Sequence, residues 1–207
     1  MARKNDIRLS FHPDQFVVLS SPHSQVVANA IRELEYHGML ADAVGADLIN
    51  IHAGGVYGDK VRTLQRLKDV LPHLSVAVRK RLTLENDDVS YTPRDLLSFC
   101  ALSSIPFVYD VHHHRCHPDG LSVEETTTLA KDIWKNLGRE PYTHISSPRN
   151  GWQGGNPKPH ADYIDWVDFP ACWLGRMMTV DVEAKAKELA VIALMEDLKS
   201  HIDAPVP

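Results

Sequence analysis

Histidine and carboxylate residues recur directly after apolar, strand-like runs in this chain. Residues 105–109 form one such run, and Asp110 follows it at once, with His113 three residues later. The same residue types end five further runs, at His12, His52, Glu85, His144 and Glu183. A single residue of this kind is more often a cap or a satisfied polar group than a ligand. Six equivalent positions are difficult to explain by coincidence, so the sequence predicts metal binding. Nitrogen and oxygen ligands without cysteine suit Mn, Zn or Fe.

The segments between these runs have the apolar periodicity of helices. Helices are predicted over residues 24–44, 60–70, 75–79, 92–100, 122–137, 161–167 and 184–198. Near-continuous apolar strands that alternate with helices indicate a parallel sheet with helices on its faces. In an α/β barrel the carboxyl ends of such strands converge on one face, where active sites lie. We therefore expect an α/β fold, one domain over residues 1–207, and a polynuclear metal site at the strand ends.

The charge of the predicted site favours an anionic substrate. Glu85, Asp110 and Glu183 contribute about −3, whereas two or three divalent ions contribute about +4 to +6. The loaded site should therefore attract a phosphodiester. Paired metal ions can activate a water and stabilise the leaving oxygen of an in-line displacement.

Further histidines lie close to the predicted ligands. Residues 105–114 are predicted to be extended, so His112 and His114 should point away from His113 by strand alternation. One of these two could contact a metal ligand without binding the metal itself. His160 follows a loop rich in Gly, Pro and Asn, and it is either a further ligand or a structural residue.

Composition limits the classes to which the chain can belong. Its 207 residues carry a formal net charge of −5, so bulk positive charge cannot drive nucleic-acid binding. No apolar run approaches the roughly 20 residues that cross a bilayer, and the amino terminus lacks the apolar core of a signal peptide. Three dispersed cysteines without a CxxC motif are typical of a reducing compartment. We expect a cytoplasmic protein that does not enter a membrane.

Six short motifs occur in order along nearly the whole chain. They are His12-Pro13-Asp14-Gln15-Phe16, Asn50-Ile51-His52-Ala53-Gly54-Gly55, Leu84-Glu85-Asn86-Asp87, Asp110-Val111-His112-His113, His144-Ile145-Ser146-Ser147-Pro148-Arg149 and Glu183-Ala184-Lys185-Ala186-Lys187-Glu188. Together they resemble the UV damage endonuclease family. The resemblance implies a TIM (β/α)8-type barrel that nicks damaged double-stranded DNA immediately 5′ to UV photolesions, namely pyrimidine dimers and 6-4 photoproducts. Such a nick leaves a 3′-hydroxyl and a 5′-phosphate. It also implies two to three divalent metals per site, usually Mn, with Zn, Mg or Co as alternatives.

The resemblance assigns roles to individual residues. The implied metal ligands are His12, His52, Glu85, Asp110, His113, His144, His160 and Glu183. Four of these, Glu85, Asp110, His144 and Glu183, are expected to be catalytic. The implied DNA contacts are Gln15, Phe16, Arg149 and Lys185. The first two of these would insert into the duplex, because an aromatic ring can fill the space of expelled bases and an amide can bond the orphaned partners.

Two departures from the family pattern change the expected set of metal ligands and the expected completeness of the barrel. Tyr142 occupies the position of a metal-associated lysine in the family. The family also carries about two further strand–helix units before the strand that ends at His12, so this chain supplies about six of the eight units that close a barrel. We expect an incomplete barrel that lacks the amino-terminal part and self-associates through uncovered edges. Two alternatives remain open at this point, a sugar isomerase or epimerase on the same kind of barrel and an inactive remnant of the endonuclease.

Overall fold

The computed structural model describes residues 2–202. The chain divides into two compact units, Met1–Val108 and Tyr109–Pro207, which we call unit 1 and unit 2. Within residues 2–202, no helix is both long and apolar enough to cross a membrane. The expectation of one domain over residues 1–207 stays a prediction.

Every pairing between neighbouring strands is parallel, and neighbours follow chain order. Residues 2–202 contain six strands: β1 Ser10–Phe11, β2 Leu48–His52, β3 Leu82–Glu85, β4 Phe107–Asp110, β5 Tyr142–Ile145 and β6 Thr179–Val182. In unit 1 the order is β1, β2, β3 and the first half of β4. In unit 2 the second half of β4 pairs with β5, which pairs with β6. Strands β2 to β5 are almost wholly buried, because both faces of a parallel sheet are covered. The predicted α/β class is confirmed.

Helices connect the strands. They are α1 Ser24–Val44, α2 Lys60–Val70, α3 Val76–Arg79, α4 Pro93–Ser103, α5 Val111–Cys116, α6 Val123–Asn136 and α7 Glu188–Ile202. Gly45 ends α1 in the left-handed conformation, and its N–H bonds the carbonyl oxygen of Ala41. A reciprocal capping box begins both α4 and α6, formed by Thr92 with Asp95 and by Ser122 with Glu125.

Two predicted helices are wrong in part. Over residues 161–167 the chain is a loop, apart from a 3-10 turn at Trp166–Asp168. Helix α7 begins at Glu188 rather than at residue 184. The intervening residues form turns because the N–H groups of Lys185 and Ala186 bond to carbonyl oxygens of residues 161 and 162.

The predicted strand over residues 105–114 is shorter than expected. Strand β4 ends at Asp110, whose carboxylate accepts a hydrogen bond from the His113 N–H at 2.7 Å and so caps α5. His112, His113 and His114 therefore diverge by helical rotation rather than by strand alternation, and that part of the prediction is wrong. His113 nevertheless remains beside Asp110 on this first turn.

Candidate metal centre

The register of β2 and β3 places two predicted ligands side by side. His52 is the register partner of Glu85, and both are the last residues of their strands. Glu85 is completely buried, and His52 is half-buried. His12 follows β1 directly, and its ring centroid lies 5.4 Å from that of His52. One ligand atom from each of these three residues lies within 4.8 Å of the others. We call this group, His12, His52 and Glu85, the unit 1 cluster.

The ring of His12 has the orientation that is usual for a metal-ligating histidine, in which one ring N–H is donated to a carbonyl oxygen. Its Nδ1 lies 3.1 Å from the carbonyl oxygen of Pro13, a contact in which Nδ1 must be the donor. In the neutral ring Nε2 then carries the lone pair, and it lies 3.1 Å from the Glu85 carboxylate. Two electron-rich atoms at this distance are stable only with a cation or proton between them. Ligands at right angles, each about 2.1 Å from one ion, would be about 3 Å apart. The residues therefore fit a divalent metal.

Two buried residues that were not predicted as site residues orient Glu85. Asn50 donates a hydrogen bond from Nδ2 to Glu85 Oε2, and Thr83 donates from Oγ1 to Asn50 Oδ1 at 2.8 Å. Asn50 precedes His52 by two residues and Thr83 precedes Glu85 by two, so each shares a strand face with a ligand. This period of two is the sequence signal that could have identified them.

In unit 2 the strand ends bring together a second group of predicted ligands. Asp110 is the register partner of His144, and both are buried. His144 Nδ1 lies 3.1 Å from Glu183 Oε1. Glu183 follows β6, and its N–H bonds the carbonyl oxygen of Ile145. His113 Nδ1 lies 3.5 Å from Asp110 Oδ2.

His160 joins this group through a loop rather than a strand. It forms an isolated antiparallel bridge with Pro148, just past β5. Its Nδ1 lies 3.2 Å from the Ser146 hydroxyl and 3.8 Å from the other carboxylate oxygen of Glu183. We call Asp110, His113, His144, His160 and Glu183 the unit 2 cluster. Its mixed carboxylate and imidazole donors suit the same metals as the unit 1 cluster.

His112 contacts both the loop that carries His160 and the ring of His160 itself. Its Nε2 lies 3.2 Å from the carbonyl oxygen of Lys158, and its ring packs against those of Trp152 and His160 at 5.4 and 5.1 Å. Burial lowers the pKa of His112, so its ring is neutral near pH 7. A neutral ring in this position can pack without an ion partner.

Tyr142, at the family's lysine position, is engaged with another strand. Its hydroxyl donates to Asp181 Oδ2 at 2.7 Å, and its ring meets the His144 ring edge-on at 5.6 Å. The buried phenol therefore packs beside a candidate ligand, while its oxygen is bonded to a carboxylate on β6.

The predicted DNA-contact residues lie on exposed loops. Phe16 is 78% exposed at the tip of the loop after β1, and Gln15 beside it is also exposed. Asp14 shapes this tip, because its side chain accepts the Phe16 N–H at 2.9 Å. The next residues, 17–21, are buried, so packing against the protein interior holds the exposed tip in position.

The two predicted basic contacts lie in unit 2 and are anchored through their backbones. The N–H of Arg149 bonds Pro159 at 2.8 Å, and that of Lys185 bonds Ala161 at 3.2 Å. Both side chains are exposed.

Comparison with known proteins identifies the family. A sequence model of the UV-endonuclease UvdE family matches residues 1–206. The UV DNA damage endonuclease of Bacillus velezensis is 38% identical over 210 residues, which cover 97% of this chain and 64% of the relative. That of Bacillus cereus is 34% identical over 209 residues, which cover 97% and 65%. The chain thus spans less than two thirds of the length of these curated relatives.

Solved structures agree with this assignment. The crystal structure of SacUVDE superposes with a TM-score of 0.87 at 30% identity, over 98% of this chain and 68% of that one. Endonuclease IV from Thermus thermophilus gives a TM-score of 0.67 at 16% identity, over 96% and 78%, a likeness of fold alone. Both are TIM barrels, which confirms the predicted fold class, and residues 2–202 supply six of the eight strands. This chain belongs to the UV-endonuclease UvdE family.

Proposed function

We propose that this chain is a metal-dependent DNA repair endonuclease. It nicks the backbone immediately 5′ to UV photolesions and leaves a 3′-hydroxyl and a 5′-phosphate. The observation that carries the proposal is the unit 1 cluster, in which His12, His52 and a fully buried Glu85 converge at neighbouring strand ends. A buried carboxylate beside an imidazole lone pair is costly without a cation, so the arrangement favours metal binding. The relatives, which are UV DNA damage endonucleases, support DNA as the substrate.

The proposed metals are two to three divalent ions, with Mn preferred and Zn, Mg or Co as alternatives. The proposed ligands are the unit 1 cluster and the unit 2 cluster. When bound, the metals would supply positive charge for a phosphodiester and a water of lowered pKa. Of the chain's own residues, Glu85 is held in one orientation by the Asn50 amide. His144 is held beside Glu183 by the pairing of β5 with β6. These fixed orientations reduce the reorganisation that a reaction at the site requires.

The proposed DNA contacts divide into two kinds. Phe16 and Gln15 enter the duplex at the lesion, where a photoproduct has weakened stacking and lowered the cost of expelling bases. Arg149 and Lys185 contact phosphates, which adds affinity without sequence preference. Since the chain carries a net charge of −5, this positive charge must act locally.

The proposal is tested with supercoiled plasmid DNA, irradiated or not, incubated with the protein and Mn²⁺ or EDTA. We expect relaxation of irradiated plasmid with Mn²⁺ only. Replacing Glu85 by Gln should reduce the rate at least 100-fold, because it removes a ligand charge without changing shape. The matched control is Glu196→Gln, an exposed glutamate on α7. A chain that binds Mn²⁺ but relaxes no irradiated plasmid would refute the nuclease proposal and favour the inactive or epimerase alternatives.

We also propose that the chain self-associates. All four residues of β6 are partly exposed, and α7 presents Leu189, Ile192 and Met195 to solvent at helical spacing. Light scattering after size exclusion should show a species larger than the 23.2 kDa monomer. Replacing Ile192 by Glu should shift it toward the monomer, whereas Val61→Glu on α2 should not. A stable wild-type monomer at 100 µM would contradict the proposal.

The cytoplasmic location also stays a proposal. Its support is the DNA substrate proposed above together with the three cysteines, none of which forms a disulfide within residues 2–202.

A further inference from the structure

The loop after β2 is locked against the loop that carries Phe16. Gly54 has φ +88°, and a Cβ at this position would lie 2.5 Å from Val18 Cγ1 and 2.9 Å from Ser20 Oγ. Ser20 also donates its hydroxyl to the carbonyl oxygen of Ala53 at 2.6 Å. The close approach requires glycine, and it ties both loops of unit 1 into one packed body.

Tyr57 stands on this loop in an unusual backbone conformation. Its φ is +49°, a left-handed conformation that few non-glycine residues adopt. Its ring lies over Gly55, where a Cβ would be 3.5 Å from Cζ, and 45% of the residue is exposed. A bulky aromatic residue that is held in this conformation and is nearly half exposed to solvent suggests a function other than stabilising the fold.

A fixed cation lies beside the Tyr57 ring. The Arg66 guanidinium carbon is 5.8 Å from the ring centroid. Its Nε donates to the carbonyl oxygen of Ser20 at 2.9 Å and its Nη2 donates to Thr63 Oγ1 at 2.8 Å. Arg66 therefore contacts both the Tyr57 ring and the Phe16 loop, and it places positive charge beside a ring whose residue is 45% exposed.

We propose that Tyr57 is a second aromatic DNA contact, which stacks on an unstacked nucleobase of the damaged duplex while Phe16 occupies the lesion. The inference rests on the proposed DNA substrate. An aromatic face accepts any base by stacking, so the contact requires disrupted stacking rather than a particular sequence. Arg66 keeps the ring in place before DNA arrives, which lowers the entropic cost of binding.

The test measures binding by fluorescence anisotropy in EDTA, where nicking is suppressed. The probes are a duplex with one thymine dimer and the same duplex intact. We expect Tyr57→Ala and Tyr57→Leu to weaken binding of the dimer duplex about 5- to 100-fold and binding of the intact duplex less than about 2-fold. Tyr57→Phe, which keeps the π face, should bind like wild type. The matched control is Tyr163→Ala, which removes a tyrosine of similar exposure, 48%, from unit 2.

Three results would overturn the inference. They are unchanged affinity of Tyr57→Ala for the dimer duplex, equal losses on both duplexes, and a loss in Tyr57→Phe as large as that in Tyr57→Ala. The leucine variant keeps apolar bulk over Gly55 and Arg66, so it remains informative if the alanine variant does not fold. If the chain nicks irradiated DNA but Tyr57 variants bind normally, only this inference fails. If no nicking occurs but the binding pattern holds, only the nuclease proposal fails.

Discussion

Replacing Glu85 by Gln should separate metal binding from folding. The carboxylate is completely buried, and it lies 3.1 Å from His12 Nε2. Glutamine has nearly the same shape and can still accept the hydrogen bond from Asn50. Without metal, the variant also avoids burying a charge. Its melting temperature in EDTA should therefore equal or exceed that of the wild type.

The size of the effect follows from linkage between binding and folding. Free Mn²⁺ at 100 times its Kd stabilises the wild type by about 2.7 kcal/mol. For a chain of this length, this corresponds to about 5–11 °C in Tm. Loss of a charged ligand should weaken binding about 100-fold or more, since even supporting residues around a metal are worth 10- to 100-fold. At the same Mn²⁺ concentration the variant then gains only about 0.4 kcal/mol, or about 1–2 °C.

The assay is differential scanning fluorimetry across a Mn²⁺ titration, with Glu196→Gln as the control of equal charge change. The control should show the full wild-type shift. A Glu85→Gln variant that keeps the full Mn²⁺ shift would refute the assignment of this residue as a ligand. A variant that melts far below the wild type in EDTA would instead give Glu85 a structural role.

Three further outcomes follow from the same structure. Gly54→Ala should lower the free energy of unfolding in urea by about 2–4 kcal/mol. The alanine would adopt a strained left-handed conformation, and its Cβ would also clash with Val18 and Ser20. The control is Gly155→Ala, at φ +81° with no neighbour within 4 Å, which should lower the free energy of unfolding by about 1–2 kcal/mol. If both substitutions lowered it equally, the clash at Gly54 would be contradicted. Asp168→Asn should lower the free energy of unfolding by about 2–3 kcal/mol, because the two carboxylate oxygens accept from Trp152 Nε1 at 2.7 Å and from the Ser147 hydroxyl at 2.5 Å, and an amide keeps only one acceptor oxygen. An unchanged midpoint in urea would contradict this. Burial raises the pKa of the Cys100 thiol, so a thiol reagent at pH 8 should modify two of the three cysteines in the native chain and the third only after unfolding.

The strand ends could be predicted because burial on both faces makes each strand nearly all apolar. A polar residue after such a run marks the point where the chain leaves the sheet. His52 and Glu85 illustrate this, since both were predicted from the pattern and both are the last residues of neighbouring strands. The register that makes them partners depends on pairing between strands and could not be deduced from either run alone.

The histidines after β4 show where the pattern was insufficient. A six-residue helix such as α5 is too short to display helical periodicity, so the run appeared extended. The available signal was Asp110, an N-cap residue whose side chain bonds the N–H three residues later. Asp110 was interpreted only as a ligand, although a carboxylate has two oxygens and can serve in a cap and at a metal.

The segment before α7 shows tertiary contacts overriding local propensity. Ala184 to Lys187 are good helix formers, yet Lys187 adopts φ +52° and the N–H of Lys185 bonds to Ala161. The partner segment lies about 24 residues earlier in the chain, so no local window contains the information. Lys185 is consequently on a loop rather than on a helix.

Cleavage of a duplex that carries a single lesion tests both the proposed nuclease activity and its cut position. A duplex with one thymine dimer, labelled at the 5′ end of the damaged strand, is incubated with the protein and Mn²⁺ and analysed at nucleotide resolution. We expect one product, which ends immediately 5′ to the dimer. Its 3′ end should be extendable by a polymerase, and none should form in EDTA or with Glu85→Gln. Cleavage elsewhere, cleavage of the intact duplex at the same rate, or cleavage that survives the substitution would contradict it.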